Sequence, residues 1–106
     1  MGLIVIACYR PKPGKEADLM AVVKDHLPIL RGQHLVTDRL PITGKAKDGT
    51  IVEVFEWASA EAVAQAHTNP AVLAMWGRFG DACDCINFGS LPEAADMFPH
   101  FEPVAV

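Results

Sequence analysis

The chain has 106 residues, 51% of them hydrophobic, and a formal net charge of −4. That length holds one domain with one modest core, and the acidic balance with scattered basic residues excludes bulk nucleic-acid binding. No apolar run reaches the roughly 20 residues of a membrane-spanning helix. Three cysteines without a secretory leader read as reduced thiols in a cytoplasm.

Leu3 to Tyr9 is an unbroken, β-branched apolar run, the pattern of a strand buried on both faces. Arg10-Pro11-Lys12-Pro13-Gly14 ends it. A helix is predicted from about Lys15 to Arg31, with Leu19, Val22, Val23, Leu27 and Leu30 as its apolar stripe. Pro28 inside it frees a carbonyl and should bend the last turn, and Gly32 fits the residue just past the end. Residues 34–43 alternate in polarity and read as a second strand. The Gly44–Gly49 loop, with its Asp48-Gly49 turn signal, joins that strand to a third over Thr50 to Trp57. Ile51, Glu53, Phe55 and Trp57 share one face of the third strand. Ser59 caps a short helix that closes near His67. Asn69 as cap and Pro70 at the first helical position open another, with Val72, Met75, Trp76, Phe79 and Cys83 along its stripe. Gly77 and Gly80 weaken that helix by about 1 kcal/mol each and suit a close backbone approach. A fourth strand is expected over Cys85 to Ser90, then an irregular tail over 91–106.

The order is βα-ββ-αα-β, a ferredoxin-like split βαβ plan, α+β in class, with an antiparallel sheet. Helices cover one sheet face. The apolar first strand requires the other face to be covered too, and two-fold pairing with a second copy does this. Burial alone therefore leads to a homodimer.

Pro13-Gly14, Glu56-Trp57, Ser59, Ala62, His67, Pro70 and Trp76, distributed over residues 3–90, resemble the antibiotic-biosynthesis-monooxygenase-like family of the dimeric α+β barrel superfamily. The resemblance implies one dimeric barrel domain over 1–106, with the tail over 91–106 contacting the partner subunit. It further implies a cofactor-independent monooxygenase acting on a small aromatic or quinol-type compound, needing neither metal nor flavin. In outline, a phenol or quinol is deprotonated and its anion reduces dioxygen within an apolar cavity. Haem-degrading relatives carry an Asn in the first strand. Leu3 to Arg10 has none, which disfavours that activity. A non-catalytic small-ligand-binding or structural homodimer, or an isomerase using the same cavity, remains an alternative, because fold does not determine function.

His67 and His26 are the candidate catalytic bases. His67 follows the short helix at a loop expected to border the cavity, or else bonds a helix-end carbonyl as a hinge residue. His26 falls on the apolar stripe of the first helix, so its imidazole must find a partner. It either lines a cavity or is a satisfied core histidine. Trp76, Phe79 and Met75 form an aromatic and apolar wall for a ligand, or simply helix core. Tyr9, at the end of the first strand, either donates to a substrate oxygen or is packing with a wet tip. Glu53 shares a face with apolar residues and needs a partner, for which Arg39 is a candidate across the sheet. Cys83-x-Cys85 has no second pair and no histidine at zinc-finger spacing, so no metal site is expected.

Overall fold

The computed structural model describes residues 2–106. Strand β1 (Leu3–Pro11) is followed by helix α1 (Glu16–Gly32), the hairpin β2 (Ile42–Lys45) and β3 (Ile51–Trp57), helices α2 (Ala60–Ala66) and α3 (Pro70–Ala82), and strand β4 (Cys83–Ile86). Two short 3-10 turns then lead to β5 (Glu102–Pro103). The sheet is antiparallel in the order β4-β1-β3-β2-β5. Among the described residues, no helix is long and apolar enough to cross a membrane.

Local chemistry explains the helix starts. Ser59 Oγ accepts from Ala62 N–H at 3.0 Å. Asn69 Oδ1 accepts from Ala71 and Val72 N–H at 3.0 and 3.2 Å, with Pro70 beside it in the first turn. Each cap satisfies amides that a helix terminus leaves without partners. At the end of α1 the helix runs through Pro28 to Gly32, and the left-handed position falls to His34 (φ 59°), not to Gly32. His34 N–H bonds Arg31 O and Leu35 N–H bonds Leu30 O, so the turn closes on histidine where glycine is the usual choice.

This turn also explains why residues 34–41 are mostly irregular and not a strand. The left-handed His34 and the donor-less Pro41 bracket the segment, and only Val36 makes an isolated bridge, to Trp57. The fourth strand is Cys83–Ile86 and not Cys85 to Ser90: α3 passes straight into it at Cys83, and Phe88–Ser90 is a 3-10 turn. No atom outside their own helix turn lies within 4 Å of where a Cβ would sit at Gly77 or Gly80, so no neighbouring backbone requires them.

Alternation divides the sheet into two faces. Tyr9 of β1 and Ile51, Phe55 and Trp57 of β3 join the core built on Leu19, Val22, Val23, Leu27 and Leu30 of α1 and Val72, Met75 and Phe79 of α3. The opposite face carries Cys8 and Val52, which pack beneath Leu91, Phe88 and Phe101 of the returning tail. The tail therefore folds onto its own sheet and extends its edge through β5. Beyond the tail this face is bare: Ile4, Ile6 and Ile42 are 66%, 52% and 73% exposed. Within a single chain the first strand is thus covered by helices on one face and, on the other, by the tail at Cys8 alone.

Gly44 is required where the tail crosses β2, since a Cβ there would lie 2.9 Å from Cβ of Phe101. Gly44→Ala should push the tail off the sheet and destabilise the protein by about 1–3 kcal/mol, the usual cost of overpacking. Urea unfolding checks this through a lowered midpoint with an unchanged slope.

Candidate functional site

A cleft of about 330 Å³ lies between the β1 side of the sheet and α3. Phe55 and Trp57 project into it from β3, and Trp76 and Phe79 from α3. Val5 and Ala7 supply a low floor from β1, and exposed Gly80 and Cys85 stand at its rim. Because Gly80 has no side chain and Ala7 a short one, space remains between sheet and helix that a larger residue would fill.

Tyr9 and His26, both buried, bring a hydroxyl and an imidazole to this cleft. Behind them sits Glu53, only 1% exposed. Tyr9 hydroxyl donates to Glu53 Oε1 at 2.8 Å, and His26 Nδ1 lies 2.7 Å from the same oxygen. An ionised carboxylate only accepts, so in this arrangement Nδ1 is the donor. Glu53 faces the core because strand parity puts it between Ile51 and Phe55, opposite Ala7 and Thr43 on the neighbouring strands. Aromatic edges hold the imidazole: its ring centre is 5.2 Å from that of Phe55 and 5.0 Å from that of Phe79, at 81° and 72°. Burial, then the charge of Glu53 and the hydrogen bond to it, push the Tyr9 phenol far above the ordinary tyrosine range. Tyr9 is accordingly a fixed donor to Glu53 and part of the wall, its ring centre 4.7 Å from that of Phe79.

Of the residues singled out from the sequence, the cleft brings together His26, Tyr9, Trp76 and Phe79, with Glu53 behind. His67 lies outside its lining. It caps the end of α2, is exposed, and its Nδ1 is 2.8 Å from Val63 O, while its ring meets Trp76 edge-on at 5.0 Å. Met75 is buried in the core and does not reach the cleft. Arg39 is exposed and pairs with Glu56 at 3.1 Å, so Glu53 takes its partners from β1 and α1 instead. The Thr37 hydroxyl bond and then that of Arg39 hold the Glu56 carboxyl below its usual range. Residues not singled out for the cleft are Val5, Ala7, Phe55, Trp57, Gly80 and Cys85. The first four share a face by simple alternation, and that was the available signal.

Among the described residues, no group of three or more His, Cys, Asp or Glu side chains is placed to hold a metal ion. In comparisons with protein-family models, with curated proteins and with solved structures, nothing matches this chain.

The three cysteines are free and differ sharply in setting. Burial and then the neighbouring Cys85 push the Cys83 thiol up to about 12, and burial raises that of Cys8, whereas Cys85 is exposed at the cleft rim. Iodoacetamide on the native protein at neutral pH should therefore label Cys85 alone, as read by peptide mass spectrometry, because only an accessible thiolate reacts. An aromatic occupant of the cleft should slow that labelling.

Proposed function

We propose that this chain is a cofactor-independent monooxygenase of a small aromatic or quinol-type compound, of the antibiotic-biosynthesis-monooxygenase-like kind. We further propose that it works in the cytoplasm as a ferredoxin-like dimeric α+β barrel. The observation that carries the activity is the aromatic-walled cleft with His26 in its wall beside Trp76 and Phe79. Flat rings on both sides suit a planar ligand. No Lys or Arg lines the cleft, and Glu53 stands behind its polar wall, so the ligand enters uncharged. His26 takes its hydroxyl proton, and the resulting anion, held away from bulk water, donates electrons to dioxygen.

The dimer rests on a separate observation. The sheet order β4-β1-β3-β2 with all three helices on one side leaves Ile4, Ile6 and Ile42 exposed on the other. A continuous apolar face of this kind is unfavourable in water, and a second copy offers the matching surface by two-fold symmetry. The free thiols fit a reducing compartment.

If the cleft only binds or isomerises, the same residues serve without oxygen. Oxygen uptake by chelator-treated protein, across a panel of quinols and polyhydroxylated aromatics, separates these readings. Uptake should survive chelation and fall by about 100-fold or more in His26→Ala, the lower end of what a positioned base contributes. His67→Ala should keep most of it. No uptake with any compound returns the cleft to ligand binding, and turnover without oxygen to isomerisation. For the dimer, light scattering should give twice the chain mass, and Ile6→Lys with Ile42→Lys should halve it. A compact wild-type monomer at micromolar concentration overturns the dimer.

A further inference from the structure

We infer that Glu53 is a positioning residue: it holds the His26 proton on Nδ1 and so keeps Nε2 bare to take the proton of a hydroxyl bound in the cleft. This rests on the reading of His26 as the base and adds how the base is kept in its working form. A neutral imidazole carries its one proton on either nitrogen, and only the bare nitrogen accepts. Two features of the structure select between them.

The first is the shared oxygen. Glu53 Oε1 lies 2.7 Å from His26 Nδ1 and 2.8 Å from the Tyr9 hydroxyl, in a site where Glu53 is 1% and His26 3% exposed. Burial makes an unmet donor or acceptor costly, so a carboxylate here draws both protons toward itself. The proton of Tyr9 is committed to that oxygen, leaving His26 as the member of the trio with a nitrogen still free. The second feature is steric. Phe55 and Phe79 meet the imidazole edge-on at 5.2 and 5.0 Å. Flipping the ring would exchange Nδ1 for a carbon and lose the bond to Glu53, and these neighbours leave little room for an intermediate orientation.

The proton step balances without a further reagent. The O–H bond of the bound hydroxyl breaks and its electron pair stays on oxygen. A bond forms from Nε2 to the proton, and the resulting imidazolium keeps its Nδ1–H on Glu53, whose negative charge compensates the new positive one. The arrangement acts through the proton transfer and not through contact with the ligand, because Glu53 is not among the residues lining the cleft.

Two measurements test this. Long-range ¹H–¹⁵N correlation on histidine-labelled protein reads the tautomer directly, with His26→Gln assigning the signal. The wild type should show Nδ1 protonated and Nε2 bare, and Glu53→Met should show the preference lost or reversed. 4-Nitrophenol, a chromophoric neutral phenol, reads the proton transfer. In the wild type it should be bound as the coloured phenolate below its solution pKa, and in Glu53→Met as the phenol, with apparent affinity lowered in step with the lost proton transfer, since that transfer is part of the wild-type binding equilibrium. An Nε2-protonated wild type overturns the proposal, and so does an unchanged tautomer in Glu53→Met. If that variant does not fold, the wild-type tautomer decides the test by itself, since Glu53→Gln would keep an oxygen that accepts from Nδ1. Nitrophenol that fails to bind while the tautomer behaves as stated overturns the base in the cleft and leaves the role of Glu53 in holding the ring intact.

Discussion

Glu53 is a carboxyl group placed in the middle of the sheet, on the face that α1 and α3 cover. Taking such a group out of water costs several kcal/mol even after the protein relaxes, and nothing apolar around it offsets that. The two donors that do, Tyr9 and His26, come from β1 and α1, so the three elements are tied at one oxygen atom. The registry of β1 against β3, the rotation of α1 about its axis and the rotamer of the imidazole all have to agree for both bonds to form. Removing one partner from a buried pair of this kind typically costs about 3–5 kcal/mol, whereas well-packed apolar replacements often cost nothing. Stability alone therefore gives little reason for a polar trio here. The cleft beside it gives a functional one.

Much of this arrangement was legible in the chain, because it follows from periodicity. The stripe Leu19, Val22, Val23, Leu27, Leu30 is buried as its spacing requires, and Ser59 and Asn69 cap where a short side-chain oxygen precedes a helical run. Parity put Glu53 on the core face, and helical spacing put His26 on the core stripe. Each then required a partner. Their requirements answer each other across 27 residues, but one-dimensional patterns do not specify the alignment of α1 over β3, and the nearest visible cation, Arg39, was the candidate instead. Arg39 lies in the irregular stretch after His34 and reaches only Glu56. The left-handed turn at a histidine was equally hidden, since glycine two residues earlier was the stronger signal.

The same division explains why the cleft was only half visible. Its aromatic walls come from recognisable stripes, but a cavity is a property of what is missing. Ala7 and Gly80 are ordinary in a strand or helix pattern and become significant only when β1 and α3 are set side by side. His67 shows the converse. Its position after a short helix fits a hinge and a cavity border equally well, and the two differ only in which neighbour its nitrogen meets, here Val63 O.

The pairing scheme of the sheet also bears on how the chain is made. β1 finds its partner at residues 51–57 and its other neighbour only at 83–86. As the chain leaves the ribosome, Leu-Ile-Val-Ile-Ala therefore waits through all of α1 and the hairpin before any strand is present to pair with it. Such long-range contacts slow folding, since closing the loop must precede the gain from the pairing. During that interval the segment is short, β-branched, uncharged and without proline, the composition most prone to pair with another copy of itself. A strand that ends up paired on both edges in the finished sheet is thus an aggregation hazard in the nascent chain until β3 arrives.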